Sequence, residues 1–235
     1  MDDKLVDIIV NRVLEKLSPG GRPGPERVAP DAGLVDDDIR AGRVPIGVSA
    51  RHVHVSREHL AVLFGPEAHL TLLRPLKQVG EFASEQQVTL VSSAGRCLGP
   101  VRILGPVRGA TQVELSLTDC IALGMKKFPP IRPSGDHRDS VGITIVGPAG
   151  AVTILQGVIR ANRHLHLHTS QAAALGLRDR DTVSVRVDGE RPAILFGVQV
   201  RATENFRAEL HLDTDDANAL GVRTGDIAQV LRTEH

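Results

Sequence analysis

The sequence predicts a mainly β protein with short helices, built as two internally duplicated small β-barrel subdomains behind an amphipathic N-terminal helix and a flexible linker. Three observations lead there. Short β-rich runs cut by turn residues fill the chain from Val44 onward, several of its segments repeat one another, and a helical stripe is set apart by a Pro/Gly-rich stretch.

The chain opens on DDKLVDIIVNRVLEKL, in which Leu5, Ile9, Val13 and Leu17 fall at i, i+4 spacing and Val6, Val10 and Leu14 widen the stripe. That is the period of one helical face. Asp2 and Asp3 at its start and Lys16 near its end suit the helix dipole. The stretch Ser18 to Gly33, SPGGRPGPERVAPDAG, can neither continue a helix nor pack a core, so it reads as a tether. Residues 1–17 are therefore expected to be a docking helix, 18–43 a linker and 44–235 the core. One barrel would take roughly 44–66 with 155–235, and the other 67–154.

Within the core, VPIGVSA, QVTLVSS, VRILGPV, GITIVGPAGAVTIL, TVSVRV and AILFGVQVRA have the texture of strands, separated by Gly, Pro and Asp. LGLRDRDTVSV (175–185) and LGVRTGDIAQV (220–230) repeat each other, each a helix end, a turn and an alternating strand. SARHVHVSREHL (49–60) resembles ANRHLHLHTSQA (161–172), and VELSLTDCIALG (113–124) resembles AELHLDTDDANALG (208–221). Such self-similarity marks a duplicated architecture.

Composition removes several classes of function. The hydrophobic fraction of 41% is enough for a packed core. Lys plus Arg equal Asp plus Glu at 28 each, so no net field draws the chain to nucleic acid or to an anionic membrane. Five Phe and no Trp or Tyr leave no stacking platform for single strands. No apolar run nears the roughly 20 residues that a membrane helix needs. Two cysteines, Cys97 and Cys120, make no disulfide framework and suit a reducing compartment. With no basic stretch at the start of a signal type, the expectation is a soluble intracellular protein. Walker A, G-x-G-x-x-G and G-x-S-x-G motifs are all missing.

The chemistry-bearing pattern is a pair of H-x-H sequences, His52/His54 and His164/His166, each preceded by Arg and lying at matching points of a repeat. On a strand, residues i and i+2 share a face, so each pair presents two imidazoles side by side. Neutral imidazole suits zinc and its neighbours. Glu114 and His211 sit at equivalent places in the other repeat and are polar groups in otherwise apolar strands, so they are candidate further ligands. His168 is in phase with His164 and His166, but its duplicate is Ser56, which places it near the metal or on the surface. His59, His69, His137 and His235 read as surface residues. Arg102 and Arg108 flank a Gly-Pro turn leading to Glu114, and Arg108 is a candidate phosphate or oxyanion clamp because its planar fork matches such anions.

IGVSARHVHVSREHLAVLFG, VRILGPVRGATQVELSLTD, GITIVGPAGAVTI, ANRHLHL and ELHLDTDDANALG together resemble the PduL-type phosphotransacylases, or phosphate propanoyltransferases, over about Val44 to Val230. The resemblance implies a two-barrel enzyme with two zinc ions per chain that moves a short acyl group, propanoyl or acetyl, between coenzyme A and inorganic phosphate. It implies His52, His54, Glu114 and His211 for one zinc and His164 and His166 for the other. It also implies Arg108 as the catalytic phosphate-binding arginine, and Val48, Ser49, Ala50, Arg102 and Asn218 as coenzyme A contacts. The tethered helix, residues 2–17, resembles the peptides that bring enzymes to the shell or cargo of bacterial microcompartments, which implies a location in the microcompartment lumen. A homodimer, small-molecule substrates, and neither nucleic acid nor membrane as partner complete the expectation. One departure stands out: His168-Thr169 follows the second H-x-H where the family more often has Met or a similar residue and then Ser. A zinc-dependent thioester or phosphoester hydrolase and a non-catalytic metal-binding scaffold are the alternatives left open by the residues themselves.

Overall fold

The computed structural model describes residues 36–231. The expected helix at 2–17 and the Pro/Gly-rich stretch at 18–33 lie outside the described residues. The described chain begins α1 (Asp36–Arg40), β1 (Arg43–Ser49), β2 (His52–His54), α2 (Arg57–Phe64), β3 (Leu72–Pro75), β4 (Phe82–Val91) and β5 (Cys97–Gly105). It continues with β6 (Gln112–Glu114), α3 (Leu117–Ala122), β7 (Ile131–Arg132), β8 (Val141–Val146) and β9 (Ala151–Ala161). Last come β10 (His164–Leu167), α4 (Thr169–Ala174), β11 (Thr182–Val187), β12 (Ala193–Ala202), β13 (Glu209–Asp213), α5 (Thr214–Leu220) and β14 (Ile227–Leu231).

The strands close into two six-stranded barrels. One runs β1-β13-β10-β12-β11-β14 and back to β1. The other runs β2-β5-β4-β8-β9-β6 and back to β2, with β3 paired to β4 and β7 to β9 outside the ring. The two rings have one pairing pattern. From the H-x-H strand β10, the neighbours are parallel β12, antiparallel β11, antiparallel β14, antiparallel β1 and parallel β13. From β2 they are parallel β5, antiparallel β4, antiparallel β8, antiparallel β9 and parallel β6. The duplication read from sequence is thus a duplication of topology.

The expected division of the chain is corrected in two respects. The strand before each H-x-H belongs to the opposite barrel: β1 closes the ring that holds β10, whereas β9 closes the ring that holds β2. Residues 52–64 therefore belong with the barrel expected at 67–154, and so does β9 through Ala161. The cause is local, since only Ala50-Arg51 and Asn162-Arg163 separate the paired strands and the chain crosses between sheets there. In addition, the expected linker to residue 43 is folded at its end, where α1 carries Ile39 into the core.

Strand character follows from alternation. Val183, Val185 and Val187 are buried on β11, as are Val101 and Ile103 on β5, with more exposed neighbours between them. Each barrel interior is one apolar cluster, with Leu165, Leu167, Val200 and Leu210 in the first and Val53, Ile103, Val113 and Val158 in the second. After β2, β6, β10 and β13 a short helix follows at once, capped by Ser56, Ser116, His168 and Asp213 respectively. A side-chain acceptor at this position satisfies an otherwise unpaired amide of the first turn. Gly221 ends α5 in the left-handed region, at φ 68°, where a side chain would be strained.

The crossovers are pinned by ion pairs. Arg51 Nε lies 2.8 Å from Asp119 of α3, and Arg163 meets Asp216 of α5 through two bonds of 2.7 and 2.6 Å. The arginine before each H-x-H thus fastens it to the helix that follows β6 or β13.

Candidate metal centre

Val53 and Leu165 point into their barrels, so the histidines on either side of them point outward. Outward residues on a small barrel are ordinarily solvated, yet His52, His54 and His166 are buried. They lie in the seam between the barrels, where the charge of Glu114 on one ring is felt by His164 on the other.

Register sets the third member of each group. On β6, antiparallel to β2, Glu114 is opposite His52; on β13, antiparallel to β10, His211 is opposite His164. Two trios result, His52/His54/Glu114 and His164/His166/His211, and within each the potential ligand atoms all lie within 4.8 Å of one another. In the second trio the ring centroids form a nearly equilateral triangle with sides of 4.6, 4.8 and 4.7 Å. His211 therefore groups with His164 and His166, which corrects the implied assignment to the ion of His52, His54 and Glu114. The physical reason is the pairing itself: β13 is hydrogen-bonded to β10 and not to β2.

Hydrogen bonds leave the imidazoles ready to act as ligands. His52 Nδ1 donates to the Ala50 carbonyl at 2.9 Å, His164 Nδ1 to the equivalent Asn162 carbonyl at 2.8 Å, and His54 Nδ1 to Leu104 at 3.2 Å. A carbonyl can only accept, so each ring carries a proton on Nδ1, which leaves Nε2 as the nitrogen that can serve a metal. Burial, with help from His52 and Arg108, pushes His54 down to about 3, and burial with His211 pushes His164 down to about 3. Burial, His211 and His164 depress His166 further. Burial also opposes charge on His52 and Glu114, but their mutual attraction wins, raising the imidazole and holding the carboxyl well below the usual range.

His166 supplies the test of fit for a metal. Among the described residues neither of its buried ring nitrogens has a hydrogen-bond partner, while its ring stacks on Phe206 at 4.1 Å. An unsatisfied buried nitrogen costs about 1–3 kcal/mol, and ligation of a metal would remove that cost. Two sets of neutral imidazoles, one with a carboxylate, are the donor chemistry of zinc and related ions. Three protein ligands per set leave room for a substrate atom. The residues fit.

Arg108 stands beside the first trio, close enough to lower both His52 and His54. Its guanidinium donates to Ser134 Oγ at 2.9 Å and to Glu81 Oε1 at 3.4 Å. Arg102 is the register partner of His52 on β5, but its guanidinium donates to the Ser84 carbonyl at 2.6 Å. Val48 and Ser49 end β1 and Ala50 follows in the crossover, abutting the first trio through the Ala50–His52 bond, with Val48 N donating to Thr224 Oγ1 at 3.0 Å. Ser49 pairs with Asp213, the cap of α5, on which Asn218 is exposed. The stretch 48–50 and Asn218 therefore share one end of the first barrel, and Arg102 lies on the second.

Three further histidines have contacts that define them, His69 is exposed, and His235 lies outside the described residues. His168 caps α4, its Nδ1 accepting from Ser170 N at 3.2 Å, so it takes over the role of Ser56 in the other half. His137 is not a plain surface residue, because its Nε2 donates to Gln112 Oε1 at 2.9 Å. His59 is half-buried against Thr111 Oγ1 at 2.7 Å. Sequence reasoning passed over Gln112, Glu209, Ser134 and Gln78. Gln112 and Glu209 lie two residues before Glu114 and His211 and are buried, so the same two-residue period that found the histidines could have found them. Ser134 and Gln78 come from loops and carry no such signal.

Residues 45–223 match the family model for phosphate propanoyltransferase. The phosphate propanoyltransferase of Rhodopseudomonas palustris is 41% identical over 99% of both chains. That of Lachnoclostridium phytofermentans is 41% identical over 98% of this chain and all of its own, and that of Thermotoga maritima 46% over 79% and 88%. The chain belongs to the phosphate propanoyltransferase family and is a phosphate acyltransferase. No helix among the described residues is long and apolar enough to cross a membrane.

Two outcomes follow for metal-free protein. Below about pH 6.5 the unfolded chain takes up protons on histidines 54, 164 and 166 that the folded chain refuses, so stability falls with pH by up to about 1.4 kcal/mol per unit for each ring. His52 acts oppositely: its stabilisation is complete below the unfolded value and lost as pH rises through its raised folded value. Urea midpoints should therefore peak near neutrality, and a flat profile on the acid side contradicts this picture. Secondly, His166→Leu should raise the urea stability of metal-free protein by about 1 kcal/mol and abolish any further gain from added zinc. Equal destabilisation with and without zinc would show His166 to be a packing residue only.

Proposed function

We propose that the enzyme transfers a short acyl group, propanoyl first among them, between coenzyme A and inorganic phosphate, with two zinc ions held by the two trios. The observation that carries this reading is the seam itself, two sets of potential ligands near enough for the charge of Glu114 to reach His164, with the Arg108 fork beside one of them. The family membership supplies the acyl and phosphate halves of the reaction.

In the forward direction a phosphate oxygen attacks the thioester carbonyl carbon, the C–S bond breaks, and coenzyme A leaves as thiolate. Zinc, when bound, would polarise the carbonyl and favour the thiolate, a soft ligand. The protein's own part is placement and electrostatics. Arg108 presents two parallel N–H donors that suit two phosphate oxygens, and holding the nucleophile in place lowers the entropic cost of bringing two anions together. In the structure those donors face Ser134 and Glu81, so phosphate would replace the longer Glu81 contact. Gln112 donates to Glu114 at 2.7 Å and to Ser134 at 2.9 Å, tying the Arg108 anchor to the trio. The neutral state of His54, His164 and His166 keeps the seam from accumulating positive charge and keeps their lone pairs available. Val48 to Ala50, Arg102 and Asn218 are the proposed coenzyme A contacts. No covalent acyl-enzyme is required.

We propose further that residues 2–17 dock the enzyme in a bacterial microcompartment, on the strength of their apolar stripe and the Pro/Gly tether behind it. A chain starting at Leu34 keeps α1 and its buried Ile39. It should retain its metal and its activity, while residues 1–20 fused to a fluorescent protein should enter co-expressed shells unless Ile9 is replaced by Glu. Loss of activity on truncation, or a fusion that stays outside, removes the docking role.

The activity is tested by thiol release from acetyl-, propanoyl- and butanoyl-CoA with and without phosphate. Release that needs phosphate and yields acyl phosphate supports the transfer reaction, whereas phosphate-independent release makes the enzyme a hydrolase. Arg108→Lys keeps the charge and loses the fork. It should raise the KM for phosphate about 10-fold or more, as befits loss of a charge-assisted bond of about 1.5–3 kcal/mol, with the KM for acyl-CoA near wild type. Unchanged phosphate kinetics would make Arg108 a purely structural residue.

A further inference from the structure

In both halves the strand that carries the third member of a trio carries another buried polar residue two positions earlier. On β6 this is Gln112 before Glu114, and on β13 it is Glu209 before His211. The positions are equivalent in register, Gln112 standing opposite His54 and Glu209 opposite His166. Their chemistry is inverted together with that of the residue they touch. Gln112 Nε2 donates to Glu114 Oε1 at 2.7 Å, whereas Glu209 Oε2 accepts from His211 Nε2 at 2.5 Å. A carboxylate is matched by a donor and an imidazole by an acceptor.

Glu209 is itself fixed from two sides. Gln78, 3% exposed and contributed by the β3–β4 connection of the other barrel, donates through Nε2 to Glu209 Oε2 at 3.2 Å. The Gln78 amide is committed as well, donating to the Arg207 carbonyl at 3.2 Å and accepting from Arg207 N at 3.0 Å. On the far side, a Cβ at Gly47 of β1 would come within 2.6 Å of the Glu209 carboxyl carbon, so the backbone closes directly on it. The carboxylate has little freedom to turn away from His211.

We propose that Glu209, locked by Gln78, is a positioning residue that keeps the His211 proton on Nε2, so that His211 offers Nδ1 to the metal where His52, His54 and His164 offer Nε2. This rests on reading the trio as a metal centre. Those three rings bind backbone carbonyls through Nδ1, whereas His211 binds Glu209 through Nε2, the opposite orientation. A carboxylate behind a ligating imidazole fixes its tautomer and raises its basicity, and its removal typically weakens metal binding about 10- to 100-fold.

The test uses the full chain labelled with 15N at histidine and loaded with cadmium-113. Coupling of the metal to Nδ1 of His211 and to Nε2 of His164 is the expected result. Coupling to Nε2 of His211 overturns the proposal even though metal is bound, while failure of cadmium to bind either trio overturns the metal-centre reading beneath it. Glu209→Gln is the companion variant, since its amide oxygen can still accept the hydrogen bond without the charge. Its cadmium affinity at the second trio should fall about 10- to 100-fold, with the first trio unaffected. Equal affinity at both trios, or equal loss at both, would reduce Glu209 to a packing role.

Discussion

The exchange of one strand between the barrels is the constraint on which the rest depends. Because β1 and β9 each leave their own repeat to close the opposite ring, the H-x-H strands that follow them come off the crossovers side by side, with outward faces turned to the seam. Two separately closed barrels would expose those histidines to water. Here His52, His54 and His166 are buried and His164 is half-buried, and the ion pairs Arg51–Asp119 and Arg163–Asp216 hold each crossover to the helix behind the third strand. Pairing of β2 with β6 and of β10 with β13 then dictates what stands opposite each histidine, so one slip of register would turn the whole set away.

Burial in the seam also sets the electrostatics. A protonated imidazole there would lose its hydration, so burial holds His54, His164 and His166 below the usual imidazole range, whereas Glu114 raises His52. Such a place is costly unless each nitrogen finds a partner. Backbone carbonyls satisfy one side of three rings, Glu209 satisfies His211, and among the described residues His166 has no partner. The arrangement makes sense as a pair of ligand sets poised beside the cationic fork of Arg108. That is suitable surroundings for a reaction between a phosphate dianion and a thioester.

Much of this was readable in the residues, and the parts that were not have physical reasons. The two H-x-H pairs, Glu114 and His211 were visible because a two-residue period and an internal repeat are both properties of sequence. Two closed barrels followed from the same repeats. What sequence could not show was which barrel each strand would join, because a crossover of two residues such as Ala50-Arg51 looks like any short turn. Sequence therefore places the barrel boundary after residue 66 and the family resemblance groups His211 with His52 and His54, whereas β13 lies beside β10. His168, in phase with the ligands, proved to be a helix cap, a role its duplicate Ser56 had already indicated. Loop residues such as Gln78 and Ser134 reach the trios only through tertiary closure.

The most direct measurement is the transition-metal content of active protein by elemental analysis, in wild type and in His52→Ala and His164→Ala. Two trios of three protein ligands predict about two zinc ions per chain in wild type and about one in each variant, with activity lost in both. Active protein free of transition metal, or a variant that keeps both ions, would contradict the two-centre account.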